Sequence, residues 1–194
     1  MPGATPVKAV VMGASWGGLN AYSSVLASLP EGFPAAIMLV QHQNASTENR
    51  LAWLLARYSR LPVVAPEDKE RIRPGHVYVA PPGYHMLVDA DETIALSMYR
   101  AVHFSRPSID ELFFSAGHVY GKKVIGVILT GANEDGSEGL DYIRRRGGLT
   151  LAVAAEQRGA GHAGSRDNKG IGAGSAGSGT HRPVSGGILD WVAR

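Results

Sequence analysis

Three short runs carry almost nothing but apolar side chains: Val7 to Met12, Ala35 to His42 and Lys123 to Gly131. A run with no polar face must be covered on both sides, and one this short reads as a buried strand rather than a helix. Between and beyond them the spacing changes to that of helices. Leu19, Tyr22, Val25, Leu26 and Leu29 fall on one helical face before Pro30. Leu51, Leu54, Leu55 and Tyr58 do the same, with Ser46 or Thr47 as the expected N-cap. Buried strands alternating with amphipathic helices predict a parallel sheet with helices on both faces. The expected class is α/β: three layers (α/β/α), doubly wound and mostly parallel.

The remaining segments fit that plan. "LPVVAP" (61–66) and "HVYVAP" (76–81) read as short strands. "HMLVDADETIALSM" (85–98) alternates around Asp89-Ala90-Asp91 and predicts a small β-hairpin excursion. Ser108 to Gly121 reads as a helix capped by Ser108 and buried through Ile109, Leu112, Phe113 and Ala116. "DGSEGLDYIRRRGG" (135–148) reads as an amphipathic helix ended by Gly147, with its arginines where they suit the helix dipole. "LTLAVAAEQ" (149–157) is a further strand. Trp53 and the Phe113-Phe114 pair are assigned to the core, and Arg144 to Arg146 to a solvated helix end.

One domain is expected over 1–157. Residues 158–187 break the pattern: about one-third are glycine and almost none is large and apolar. Such a stretch buries too little surface to offset its ordering entropy. "ILDWVAR" (188–194) again resembles a helix end. The codons of His162 to Asp167, read one base later, can encode Met-Pro-Glu-Ala-Ala-Ile. We therefore expect 158–187 to be either a glycine-rich loop or a segment translated out of frame.

Composition limits the function. Formal net charge is +2 with no basic block, which gives nucleic-acid binding no support. The absence of cysteine excludes disulfides, thiolate chemistry and cysteine-zinc sites. The N-terminal residues lack a signal-peptide layout, and no apolar run approaches the roughly 20 residues of a membrane span. A cytoplasmic protein with no membrane insertion is expected, and the sequence fixes no oligomeric state.

Reactive side chains collect at the C-terminal ends of strands in a doubly wound sheet. Here three strand ends carry Ser15, His42 and Asp135. Serine is a weak nucleophile until a base takes its proton, and the base needs a carboxylate to fix its tautomer. Gly13-Ala14-Ser15-Trp16-Gly17 fits G-x-S-x-G in a strand–turn–helix context. Taken alone, the turn serves equally well as a phosphate-binding glycine loop. The order Ser15, His42, Asp135 is not that of the α/β-hydrolases. Against a nucleotide site, the chain has no G-x-G-x-x-G and no P-loop lysine. Read singly, Asp135 is a helix N-cap, His42 a strand-end histidine, and His76 and His85 structural; Arg106 either caps a helix or holds a carboxylate.

"GASWGG", "VQHQ", "RIRPGHVYVAPPGYHM", "FSRPSIDELFFSAG" and "GVILTGANEDGSEGL" together resemble the catalytic domain of the CheB-type chemotaxis protein-glutamate methylesterases. The resemblance covers about residues 7 to 157. It implies a serine esterase that hydrolyses γ-glutamyl methyl esters on the cytoplasmic helices of methyl-accepting chemotaxis receptors. Methanol is released, and many members also deamidate receptor glutamines. It implies Ser15 as nucleophile, His42 as base and Asp135 as carboxylate, with oxyanion contacts at Trp16 and near Ala132, and no cofactor or metal. Trp16 stands where the family often has a small residue or threonine. "TGANEDG" stands where many have "TGMGNDG", which leaves Glu134 as an alternative carboxylate, less favoured because glycine follows Asp135. The six residues ahead of the first strand are too few for the receiver domain common in the family. A docking module without catalysis is the alternative reading within the family.

Overall fold

The computed structural model describes residues 6–15, 18–43, 48–130 and 134–152. Six strands form one parallel sheet: β1 (Ala9–Ala14), β2 (Ala36–Gln41), β3 (Val63–Val64), β4 (Val77–Val79), β7 (Val124–Thr130) and β8 (Leu149–Ala152), in the order β3-β4-β2-β1-β7-β8. A separate antiparallel pair, β5 (His85–Val88) and β6 (Ile94–Ser97), is the expected hairpin. Between strands lie α1 (Gly18–Ser28), α2 (Leu51–Ala56), α3 (Ile109–Tyr120) and α4 (Ser137–Arg145).

Alternate strand residues feed two cores. Val10, Met12, Ile37, Leu39, Val77, Val79, Ile125 and Val127 pack with Tyr22 and Leu26 of α1 and Leu51 and Leu55 of α2. Val11, Met38, Val40 and Tyr78 face the other way, toward Ile109, Leu112, Phe113 and Ala116 of α3 and Ile143 of α4. The hairpin joins this second core through Met86, Val88 and Ile94. Every residue of β1 is buried, as a strand covered on both faces requires.

The winding reverses at β1. The chain first moves from β1 toward β2 and β4, then returns to place β7 on the other side of β1. A crevice opens at the C-terminal ends of strands where the winding reverses.

Four expectations need correction. Helix α2 starts at Leu51, with Arg50 in the cap position and no side-chain cap; Ser46 and Thr47 lie outside the described residues. A tight turn precedes it, with Arg50 N–H on Glu48 O (2.7 Å) and the Arg50 guanidinium paired with Glu48. Trp53 is not core but 64% exposed, because this short helix turns only Leu51, Ala52 and Leu55 fully inward. The Arg57 guanidinium lies 5.7 Å from the Trp53 ring centroid. Tyr58 is exposed too. Phe113 is fully buried, whereas Phe114 is half-buried and packs edge-on to Tyr142. The strand expected over 149–157 is described as far as Ala152; the expectations for 158–187 and 188–194 lie outside the described residues.

Candidate active site

Ser15 follows β1 directly and His42 follows β2 directly. Ala14 and Gln41 are register partners, and His42 N–H donates to Ala14 O at 3.1 Å. The two candidate residues are thus the next pair along adjacent parallel strands. Ser15 O accepts from Gly18 N at 3.1 Å, which turns the chain into α1. Buried under this corner, the Tyr22 hydroxyl donates to Val40 O at 2.8 Å and ties α1 to the end of β2. That burial pushes the Tyr22 phenol well above its ordinary range, so it stays a donor.

Asp135 enters from the far side, after β7. His42 Nε2 lies 2.6 Å from Asp135 Oδ2, and both residues are buried. An ionised carboxylate only accepts, so Nε2 carries the hydrogen; in the neutral ring Nδ1 is then the nitrogen with the free lone pair. Among the described residues the Ser15 side chain makes no hydrogen bond to His42.

Asp135 does not cap α4 as a lone reading predicts; Gly136 occupies that position with φ 105°. Its carboxylate instead faces the first turn of α3. Ser108 Oγ donates to Oδ1 at 2.7 Å, Ile109 N–H to Oδ2 at 2.9 Å and Asp110 N–H to Oδ1 at 3.0 Å. Helix starts expose unpaired N–H groups and positive dipole ends, and this carboxylate uses both. Burial pushes the Asp135 carboxyl up, but the donors His42, Asp110 N–H, Ile109 N–H and Ser108 outweigh it and hold it below the usual carboxylate range.

Ser108 does two jobs. As N-cap of α3 it accepts from Glu111 N–H (3.4 Å) while donating to Asp135. Its own N–H donates to His85 Nδ1 at 3.2 Å, and His85 Nε2 donates to Arg100 O at 3.1 Å. Both ring nitrogens of His85 are thus engaged by backbone groups. His76 sits at the surface side of β4, its Nδ1 3.1 Å from Pro74 O.

The spacing between α3 and β1 is set by Gly13. A Cβ there would lie 2.8 Å from Ile109 Cδ1 and closer still to Cγ2, so only glycine lets the first turn of α3 approach this strand. The same contact brings the N–H groups that hold Asp135 toward the strand that carries Ser15.

Asp110 is buried beside this network. Its Oδ1 accepts from Gly139 N at 2.6 Å, while Oδ2 has no hydrogen-bond partner among the described residues. Burial is the main reason its carboxyl is raised; the N–H groups of Gly139 and Gly136 pull it down, and the charge of Asp135 raises it further. His103 Nε2 stands 3.8 Å from Asp110 Oδ2, and its Nδ1 lies 3.7 Å from Glu134 Oε2. Glu134 is almost fully exposed, so it is Asp135, not Glu134, that meets His42.

Arg106 does not cap α3, since Ser108 does; its Nη1 donates to Met98 O and Tyr99 O at 2.9 and 3.0 Å. Trp16 and Ala132 lie outside the described residues. The sequence reading missed the donors to Asp135 from Ser108, Ile109 N–H and Asp110 N–H. Ser108-x-x-Glu111 has the capping-box spacing and marks where the helix starts, but nothing local says which carboxylate that start will receive.

The family model described as CheB methylesterase matches residues 10–160. This chain belongs to the CheB methylesterase family. A relative from Leptospira interrogans is 46% identical over 144 residues, covering 74% of this chain and 75% of that protein. The protein-glutamate methylesterase/protein-glutamine glutaminase 1 of Carboxydothermus hydrogenoformans is 43% identical, covering 76% of this chain and 45% of its own. The protein-glutamate methylesterase FrzG of Myxococcus xanthus is 42% identical, covering 76% and 44%. The chain thus spans three quarters of the first of these proteins and under half of the other two. Among solved structures, the CheB methylesterase catalytic domain of Thermotoga maritima superposes with a TM-score of 0.74 at 34% identity, covering 78% of this chain and 82% of that one. The six-stranded sheet and hairpin are the fold of that CheB domain. With the family shown, the nucleotide-site reading of the glycine turn falls away.

Proposed function

We propose that this chain is a serine esterase that removes methyl groups from glutamyl methyl esters of chemotaxis receptors, acting on their cytoplasmic helices. The observation that carries the reading is the buried 2.6 Å contact of His42 with Asp135, with Ser15 the register neighbour of His42 on the adjacent strand end. Relatives named protein-glutamate methylesterase support the substrate class.

Ser15 Oγ attacks the ester carbonyl carbon while His42 Nδ1 takes its proton. Asp135 stabilises the imidazolium that forms. The tetrahedral oxyanion collapses, the C–OCH3 bond breaks, and His42 returns the proton to the departing methoxide as methanol. Water, deprotonated by His42, then attacks the acyl-serine; glutamate leaves and Ser15 is restored. Backbone N–H groups at Trp16 and near Ala132 are the proposed oxyanion donors. The paired name of the Carboxydothermus relative extends the reading to glutaminyl side chains, with ammonia leaving in place of methanol.

The test is methanol release from a methyl-esterified receptor cytoplasmic fragment. The wild type is expected to release methanol and Ser15→Ala to release none while keeping its melting temperature. A non-catalytic docking module would bind the fragment and release no methanol in either form.

A further inference from the structure

Between β6 and α3 the chain makes a tight turn whose His103 stands beside Asp110 and Glu134. Val102 and Ser105 exchange both backbone hydrogen bonds, at 3.1 and 2.8 Å. The two residues between them, His103 and Phe104, have φ of 46° and 60°. Two successive positive φ values are the sign pattern of a type I′ turn, which Asn and Gly fill readily and bulky L residues do not. Phe104 gains no packing in return, because it is fully exposed. Strain kept where the fold draws no benefit points to a use outside the fold.

The loop is tied by hydrogen bonds and exposes large apolar side chains. Arg106 clamps the carbonyls of Met98 and Tyr99, whose side chains are 66% and 84% exposed. The turn is also anchored next to the candidate site: His103 lies between Asp110, at the start of α3, and Glu134, the chain neighbour of Asp135. Four residues after Phe104, Ser108 donates to Asp135.

We infer that Phe104 is a substrate-anchoring residue, docking the apolar ridge of the helical protein segment that carries the glutamyl ester; the inference rests on the methylesterase reading above. A small side chain presented from a protein helix reaches a strand-end site only if the rest of that helix lies across the rim. This turn and the chain just before it offer Phe104, Tyr99 and Met98 together with the cations Arg100 and Arg106. That combination suits a helix with an apolar ridge flanked by acidic side chains, and aromatic and arginine side chains are the usual anchors of protein interfaces. A preformed loop avoids the ordering cost of contact.

The test compares wild type, Phe104→Ala and Phe104→Gly on a methyl-esterified receptor cytoplasmic fragment over a range of concentrations. Ser15 labelling by a small fluorophosphonate and sedimentation of each protein are followed in parallel. Both variants are expected to lose about tenfold in kcat/KM on the receptor fragment, carried by KM. Labelling is expected at the wild-type rate. Phe104→Gly is also expected to melt higher than wild type, because glycine relieves the positive φ. Unchanged kcat/KM overturns the inference, as does an equal loss of labelling, which marks a structural role. A wild-type dimer that dissociates in the variants, with receptor kinetics unchanged, assigns the turn to self-association and also overturns it. A wild type that neither labels nor releases methanol removes the methylesterase reading and this inference together.

Discussion

The Ser108 hydroxyl donates to Asp135 Oδ1 at 2.7 Å, so the carboxylate that meets His42 is held by the first turn of α3. Ser108→Ala removes this donor and the helix cap together. It is expected to cost about 1–2 kcal/mol of stability, seen in urea melts. Methanol release should fall about tenfold, and Ser108→Thr, which keeps the hydroxyl, should recover most of both. An Ala variant with wild-type turnover would show that Asp135 is positioned without Ser108.

Asp135→Asn keeps the shape and removes the charge. Turnover is expected to drop by about 10³–10⁴, in line with loss of the carboxylate from a serine triad. Stability carries a second signature. The native carboxyl is held below its ordinary value, so the stability it contributes is present above the unfolded value of about 3.9 and is lost as pH falls through the lower native value. Melts between pH 6 and pH 2 should show that acid loss in the wild type and a flatter response in Asp135→Asn.

Asp110 has the opposite sign. Its native carboxyl is raised, so the stability linked to its protonated form is present below about pH 3.9 and is lost as pH rises through the raised native value. Asp110→Asn removes a buried charge beside Asp135 and leaves an oxygen for Gly139 N–H. The variant is expected to be more stable than wild type at pH 7, and the difference should vanish in urea melts at pH 3. A less stable variant at pH 7 would mean that the ionised carboxylate is worth more than its burial costs.

Gly13 and Ile109 touch across the β1–α3 contact. Gly13→Ala is expected to cost about 1–3 kcal/mol by overpacking and to slow turnover by displacing the donors to Asp135. Ile109→Val in the same chain should relieve part of both effects, with a coupling of at least about 0.5 kcal/mol in a double-mutant cycle. Strict additivity would show that the strain is absorbed elsewhere.

The sheet was legible because its strands are apolar on both faces, a pattern that admits few other folds. The meeting of His42 with Asp135 was legible because each follows such a strand, and strand order then brings the two together; the place of Ser15 beside them stays a proposal. What could not be read is long-range. Asp135 looked like a cap for α4 because Gly136 and Ser137 follow it, yet its carboxylate turns to a helix start 25 to 27 residues earlier. Trp53 looked like core because its neighbours are apolar; a two-turn helix has too narrow a buried stripe to take it in. Arg106 looked as ready to cap a helix as to bind, and one guanidinium nitrogen reaches back to the carbonyls of Met98 and Tyr99, just past β6, rather than to the start of α3.

The most direct measurement is mass mapping of a fluorophosphonate adduct on the wild type and on His42→Ala. An adduct on Ser15, formed at least about a hundredfold more slowly in His42→Ala, is the expected result, since the hydroxyl depends on its base. An adduct on another residue, or none, or labelling of Ser15 indifferent to His42, would contradict a Ser15–His42–Asp135 esterase.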